Sequence, residues 1–200
     1  MNPRRRIHLT AVLGFTAALL ALPPARAADT ILHSFTGGSS GGSNPYGSVT
    51  LSGSKLYGMT YGGGSFGTGT LFSMNTDGTG FSLLHSFDNS TGAYPQGSLT
   101  LSGSKLYGMT SGGGSFGPYG TIFSVNIDGT GYSVLRSFAG AYSDGSAPNG
   151  SLTLSGSKLY GMTYQGGSGN GGAVFSMNTN GTAFSLLRSF RGLASDGAYP

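Results

Sequence analysis

One ten-residue segment, LSGSKLYGMT, occurs three times without a change, at Leu51–Thr60, Leu101–Thr110 and Leu154–Thr163. The motif P-x-G-S-[LV]-T-L begins before each copy, and the segment L-[HR]-S-F recurs around the copies four times in all. These motifs return every 50 to 53 residues. A unit of this length cannot bury its apolar face alone, so copies must stack on one another. The sequence therefore predicts a repeat architecture.

Each unit reads as four short strands with turns between them. In the first unit, the strands are expected at Ser48–Leu51, Leu56–Thr60, Thr70–Asn75 and Phe81–Phe87. A glycine-rich loop, Tyr61–Gly69, separates the second strand from the third, and an Asp-Gly hairpin turn lies at 76–80. Alternation along the fourth strand predicts that its apolar and aromatic residues share one face. These residues are Phe81, Leu83, His85 and Phe87.

Four antiparallel strands in each unit of about fifty residues are typical of a β-propeller blade. We therefore predict an all-β fold, a β-propeller with four-stranded blades. A β-solenoid is the alternative, although it lacks tight Asp-Gly hairpins. Glycines inside the second strands, Gly58, Gly108 and Gly161, are expected where backbones approach closely near a propeller axis.

The repeat region is expected to span 28–200, with units at about 48–87, 98–138 and 151–190 and the start of another at 191–200. Ile31–Phe35 resembles a lone fourth strand. Three blades are fewer than the typical 4 to 8 of a closed ring. We therefore expect a truncated piece of a longer protein, in which the lone strand completes the last blade. Closure by oligomerisation is the alternative.

The first 27 residues have the pattern of a signal peptide, with three arginines, a short apolar run and Ala-Arg-Ala at the end. The apolar run is shorter than the roughly 20 residues of a membrane span. The segment holds four of the ten basic residues, so the formal charge of +4 becomes zero when it is removed. Nucleic-acid binding therefore loses its support, and we expect export to the periplasm, cell surface or medium.

The string K-L-Y-G-M-T-x-x-G-G…G-T-[LI]-F-S-x-N-x-D-G-[TS]-x-[FY]-S-x-L-x-S-F resembles the GloVer (Gloeo/Verruco) tandem repeat of exported bacterial proteins. The likeness covers nearly all of 31–200, with Asn180-Gly181 replacing Asp-Gly in the third unit. The resemblance implies export, a kelch-like propeller and one of several C-terminal anchors. We expect membrane contact only through an anchor not present in this chain. The resemblance implies no catalytic residue.

The chemistry-bearing residues are sparse. The G-x-S-x-G strings at 63–67 and 113–117 lie in loops between strands, whereas a nucleophile elbow needs a strand, turn and helix. His33 and His85 are replaced by arginine in later units, and the chain has six aspartates, no glutamate and no cysteine. Turn formation explains the Asp-Gly pairs without a metal. We therefore predict no catalytic residue, no metal site and no cofactor.

The strands repeat almost verbatim, while the loops differ in aromatic and polar residues. Loops on a repeated scaffold are where binding differences accumulate. The candidate ligand contacts are Tyr61, Phe66, Ser111, Phe116, Tyr119 and Tyr164. Such rings suit a glycan or a protein ligand, or they cover gaps between blades. We expect a non-catalytic binding scaffold. The alternatives are a polysaccharide-acting enzyme with its site in missing blades and a structural envelope repeat.

Overall fold

The computed structural model describes residues 29–140, 142–192 and 196–200; the sequence-predicted signal peptide lies outside these ranges. Fifteen strands are found in the described residues. They are β1 (Gly42–Ser43), β2 (Thr50–Ser52), β3 (Lys55–Thr60), β4 (Gly62–Gly63), β5 (Thr70–Asn75), β6 (Ser82–Ser86), β7 (Thr100–Ser102), β8 (Lys105–Thr110), β9 (Thr121–Asn126), β10 (Ser133–Ser137), β11 (Gly145–Pro148), β12 (Thr153–Ser155), β13 (Lys158–Gly166), β14 (Ala173–Asn178) and β15 (Ser185–Ser189). In this part of the chain, no helix has the length and apolar character to cross a membrane.

Each repeat folds into its own antiparallel sheet. The first sheet has the order β2-β3-β5-β6, the second β7-β8-β9-β10, and the third β12-β13-β14-β15 with β11 added on the far part of β13. The pairing has the same register in every sheet, as in Gly58↔Phe72, Gly108↔Phe123 and Gly161↔Phe175. Antiparallel four-stranded units confirm the propeller prediction, because a solenoid coil would spread each repeat over several sheets.

The apolar core lies between neighbouring sheets. Side chains alternate along each strand, so a sheet can present apolar residues on both faces, and the second sheet packs against a neighbouring sheet on each side. The buried residues between the first and second sheets are Tyr57, Met59, Leu71, Phe87, Leu99, Leu106, Phe123 and Val125. The equivalent set between the second and third sheets is Tyr107, Met109, Ile122, Phe138, Leu152, Leu159, Phe175 and Met177. The verbatim strand sequences therefore encode one interface that is used twice.

The first strands of neighbouring sheets contact one another directly. The Ser48 amide donates to Ser98 Oγ at 2.8 Å, and the Ser98 amide donates to Ser151 Oγ at 2.9 Å. A Cβ on Gly97 would lie 1.7 Å from the Gly150 carbonyl oxygen, so this position accepts only glycine. The close backbone approach is thus at Gly97 rather than at the glycines inside the second strands.

The second-strand glycines have a different role from the one predicted. A Cβ on Gly58 would lie 2.5 Å from the ring of Phe72, its cross-strand partner, and Gly108 has the same relation to Phe123. Each glycine therefore makes room for a phenylalanine ring of its own sheet. The rings are fully or almost fully buried, and a larger residue opposite them would displace core volume.

A β-bulge divides the fourth strand, so the prediction that Phe81, Leu83, His85 and Phe87 share one face is wrong. Leu71 pairs with His85 and Phe72 pairs with Leu83, which leaves Leu84 as an extra residue. An extra residue reverses the direction of the side chains that follow it. Phe81 consequently stacks on His33 before it, while His85 stacks on Tyr132 of the second sheet.

This bulge recurs in the fourth strand of all three sheets and lets that strand contact both neighbours. His33 lies over Phe81 with a centroid distance of 3.9 Å, and His85 lies over Tyr132 at 3.8 Å. At the next interface the Arg136 guanidinium lies 3.5 Å from the centroid of Phe184. A flat cationic or neutral group on an aromatic face is favourable in each case.

The segment Ile31–Phe35 is not a strand, because no described residue offers it the third strand with which fourth strands pair. Its side chains nevertheless lie where a fourth strand would place them. Phe35 packs on Phe72 and Phe81, as Phe87 packs on Phe123 and Tyr132. Ring packing therefore holds this segment against the first sheet.

A buried hydroxyl pair joins the second and third strands near the ends of two sheets. Thr60 Oγ1 lies 2.8 Å from Thr70 Oγ1, and the Thr110–Thr121 pair has the same distance. In the third sheet Ala173 faces Thr163, and Thr163 Oγ1 is buried without a hydrogen-bond partner among the described residues. A buried polar atom without a partner costs stability.

We predict that Ala173→Thr stabilises the protein by about 1 kcal/mol, because it restores the missing hydroxyl pair. The measurement is the free energy of unfolding in urea. Thr163→Val, which removes the orphaned hydroxyl with little change of shape, is the matched control and should not destabilise. A loss of stability in Ala173→Thr with no loss in Thr163→Val would contradict this explanation.

His85 should make stability depend on pH. Burial lowers its pKa below the ordinary 6.5, against the opposing effect of Asp88, so the folded protein holds the ring neutral. As the pH falls below about 6.5, the unfolded chain binds more protons at this residue than the folded protein does. The free energy of unfolding therefore decreases until the pH reaches the pKa of the folded state. His85→Arg supplies the residue found at 136 and 188 and should flatten the profile. The urea midpoint of unfolding, measured between about pH 7.5 and pH 5 for the wild type and for His85→Arg, tests this prediction. The same pH dependence of the midpoint in both proteins would contradict it.

Candidate functional site

The variable residues collect at one edge of the sheets. The loops 61–69, 111–120 and 164–172 connect second strands to third strands, and the linkers between sheets leave from the same edge. We call this the loop edge; the opposite edge, the hairpin edge, carries the tight turns at 76–80, 127–131 and 179–183. Each glycine-rich loop begins with residues paired to the preceding linker, such as Gly62–Gly63 with Gly42–Ser43, so it is only partly irregular.

The residue before each linker proline has a left-handed backbone conformation. The φ angles are 57° at Tyr94 and 48° at Ala147, which is unusual for non-glycine residues and for a residue before proline. This conformation directs the Tyr94 carbonyl at the loop of the same unit. The carbonyl oxygen accepts hydrogen bonds from the Ser111 amide at 3.2 Å and from Ser111 Oγ at 2.7 Å. The linker and the loop are therefore held in a fixed relation.

Tyrosine rings cover this edge at two places. Between the first and second sheets, Tyr61 packs edge-on against Tyr46 with a centroid distance of 5.5 Å and stacks on Tyr94 at 4.9 Å. In the third unit, Tyr164 packs against Tyr199 at 4.9 Å. Aromatic pairs at these distances are attractive beyond their buried area. The predicted contact residue Tyr61 is thus packed into the gap between two sheets.

The same positions are empty of rings between the second and third sheets. Gln96 stands where Tyr46 stands in the first unit, Ser111 replaces Tyr61, and Ala147 replaces Tyr94. The space that the rings would fill is a cavity of about 260 Å³. We call it the tyrosine gap, and it is lined by Gln96, Ser111, Ala147, Asn149 and Tyr164.

The tyrosine gap brings together two of the six sequence-predicted residues, Ser111 and Tyr164. Gln96 Nε2 donates to Ser111 Oγ at 3.1 Å, which fixes the amide at the wall of the cavity. Tyr164 is 41% exposed and forms the opposite wall. The cavity is lined by neutral side chains only, so it offers amides, a hydroxyl and an aromatic ring.

The structure does not bring the other predicted contact residues to this cavity. Phe66 and Phe116 are 62% and 67% exposed on separate loops. The ring of Tyr119 lies against Gly140, where a Cβ would approach it to 2.6 Å. That any of these residues contacts a ligand stays a prediction.

Sequence reasoning missed Gln96, Ala147 and Asn149. The signal that identifies them is the comparison of repeats at the variable position of P-x-G-S and at the residue before its proline. The variable position of P-x-G-S is occupied by Tyr46, Gln96 and Asn149 in the three units. The residue before the proline is Asn44, Tyr94, Ala147 and Tyr199 along the chain. Where tyrosines at facing positions are replaced by small or polar residues, a cavity is expected between the two units.

The carboxylates of the hairpin edge are occupied by turn formation. Asp77 Oδ1 accepts hydrogen bonds from the Thr79 amide and hydroxyl at 2.9 and 2.7 Å, and Asp128 does the same with Thr130. These bonds lower the pKa of both carboxyls below the ordinary value. Asn180 forms the equivalent turn in the third unit, so the turn needs an oxygen acceptor and not a charge.

The remaining carboxylates near the loop edge hold the linkers. Asp88 accepts hydrogen bonds from Ser90 and Thr91, Asp144 pairs with Arg136 at 2.9 Å, and Asp196 pairs with Arg188. Among the described residues, no three metal-ligating side chains come together. Two further cavities on this edge, of about 440 and 240 Å³, are lined mainly by glycine and contain no charged group.

Comparison with solved structures bears on the fold. A chain in the crystal structure of a nidogen/laminin complex has a TM-score of 0.52 and 19% identity, and the likeness covers 80% of this chain and 51% of that one. TolB from Acinetobacter baumannii has a TM-score of 0.46 and 11% identity, with 68% of this chain and 30% of that chain covered. This chain therefore spans about half the length of the nidogen/laminin chain, and less of TolB.

A comparison with curated proteins gave no match. A family model, the Gloeobacter/Verrucomicrobia repeat, matches residues 15–200. That range contains all three sheets and the tyrosine gap, and it agrees with the resemblance carried by the repeated motifs. The chain belongs to the Gloeobacter/Verrucomicrobia repeat family.

Proposed function

We propose that this protein is an exported, non-catalytic binding scaffold whose ligand contacts lie on the loop edge. The observation that carries the proposal is the distribution of differences among the repeats. The segment LSGSKLYGMT is identical in the three units, whereas the loops that follow it differ: Ser111 stands where the other units have Tyr61 and Tyr164, and the third unit lacks the phenylalanine found at Phe66 and Phe116. A constant framework with a variable edge is the arrangement expected of a binding module.

The state of the carboxylates supports the non-catalytic part of the proposal. Glycoside hydrolysis needs two carboxyl groups on opposite sides of one bond. Asp77 and Asp128 are engaged in separate hairpin turns, and Asp144 is engaged in an ion pair. Each of these groups has a structural role that its hydrogen bonds explain.

A second candidate is a structural repeat that assembles through its sheets. The observation in its favour is the outer face of the third sheet. Met162 is 41% exposed, although its equivalents Met59 and Met109 are 5% and 3% exposed beneath the next sheet. Leu187 in the same sheet is 55% exposed. A second copy of the chain, which carries the same repeated faces, is the partner that this candidate requires.

Binding should be lost by changes at the loop edge and kept after changes at the hairpin edge. We expect Phe66→Ser with Phe116→Ser to weaken adsorption to an insoluble polysaccharide panel or to surface-protein extracts, because both rings are exposed on loops. Asp77→Asn with Asp128→Asn is the matched control, since Asn180 already forms this turn. Pull-down of the full chain measures the effect.

Equal loss in both double variants would contradict a site on the loop edge. Absence of adsorption by the wild-type chain, together with self-association that increases with concentration in sedimentation, would favour the structural candidate.

Export should remove the first segment. Expression of the full chain in a bacterial host is expected to give an extracytoplasmic product that begins at Ala28, because signal peptidase reads small residues such as Ala25 and Ala27. Cell fractionation and intact mass measure this outcome. A product that stays in the cytoplasm with Met1–Ala27 attached would contradict the proposed export.

A further inference from the structure

We infer that the tyrosine gap is a binding site for one neutral pyranose ring of a glycan. This inference rests on the proposed function and assigns its ligand class and place. The gap exists because Ser111 and Ala147 replace the tyrosine pair that covers the equivalent position as Tyr61 and Tyr94. Its volume of about 260 Å³ is slightly below that of the usual small-molecule pocket. It therefore suits a single ring better than a long ligand.

The hydrogen-bonding capacity of the walls favours a ligand with several hydroxyl groups. Ser111 Oγ is occupied, because it donates to the Tyr94 carbonyl and accepts from Gln96 Nε2. Asn149 Oδ1 accepts from the Gly150 amide. The side-chain oxygen Oε1 of Gln96, the second hydrogen on Gln96 Nε2 and the Nδ2 amide hydrogens of Asn149 have no protein partner in the described part of the chain. They offer both acceptor and donor capacity.

Tyr164 supplies the apolar part of the site. Its ring is 41% exposed at the wall of the gap and packs against Tyr199, with a centroid distance of 4.9 Å. A pyranose has an apolar ring face that packs on an aromatic ring and hydroxyls at its edge that bond to amides. A tyrosine side chain from a protein partner would bring one hydroxyl to these amides and leave the rest unpaired.

The electrostatics of the gap select a neutral ring. The residues that line it are two amides, one hydroxyl, one methyl and one phenol, and none of them is charged. A carboxylated or phosphorylated sugar would lose hydration there without gaining an ion pair. The site is therefore expected to prefer neutral hexoses and N-acetylhexosamines.

The test uses the full chain and the side-chain amide signals of Gln96 and Asn149 in ¹H–¹⁵N spectra. The probes are the methyl pyranosides of glucose, galactose, mannose and N-acetylglucosamine, with N-acetyl-tyrosine amide as the aromatic comparison. We expect at least one pyranoside to shift both amide signals with a dissociation constant on the order of 1 mM. Asn149→Ala keeps the cavity and should weaken binding about three- to tenfold.

The decisive variant is Ser111→Tyr with Ala147→Tyr, which refills the gap with the pair present in the other units. It should fold as the wild type does and weaken pyranoside binding at least about tenfold. Asp128→Asn, in the hairpin turn of the same unit and away from the gap, is the control and should bind normally, since Asn180 already forms this turn in the third unit.

Wild-type affinity in the refilled variant would overturn the inference, as would shifts caused by N-acetyl-tyrosine amide and by no pyranoside. If no pyranoside shifts the two amides while the chain still adsorbs to a ligand through its loop edge, this site assignment fails and the proposed function stands. If the wild-type chain adsorbs to no ligand at all, the proposed function itself fails.

Discussion

The bulge in the fourth strand is the constraint on which the stacking of sheets depends. Without the extra residue at Leu84, Phe81 and His85 would lie on the same face of the first sheet. With it, Phe81 packs toward the preceding segment and His85 packs on Tyr132 of the next sheet. One strand thus contacts both neighbours, and the same aromatic stack can be repeated from sheet to sheet.

The repeated strands made the sheets predictable, because their pattern is local. Alternation and Asp-Gly turns locate Thr70–Asn75 to the residue and the other strands of that unit to within two residues. The bulge was not predictable, since an extra residue such as Leu84 leaves no local signal in an apolar strand. Ile31–Phe35 has the motif of a strand but no partner strand among the described residues, and strand pairing depends on residues distant in sequence.

The loop edge was predictable as a region and only partly as a site. Variation among repeats pointed to residues 61, 111 and 164, but it cannot show that Tyr61 is packed between Tyr46 and Tyr94. Whether an aromatic ring is free to contact a ligand or packs over the gap between two sheets depends on its neighbours in the adjacent unit. Gln96 and Asn149 lie about fifty residues apart in the chain, and only the stacking of the second and third sheets places them around one cavity.

The tyrosine gap costs little stability because the framework beneath it is unchanged. The interface between the second and third sheets keeps the same buried set as the first interface, down to Phe138 in the place of Phe87. The left-handed residue before proline also keeps its conformation, with φ of 57° at Tyr94 and 48° at Ala147. Loss of a ring at the rim forfeits about 0.5–1.5 kcal/mol of pair energy. In a repeat protein, replacement of a tyrosine pair by smaller residues can therefore open a cavity between two units while their sheets continue to pack on each other.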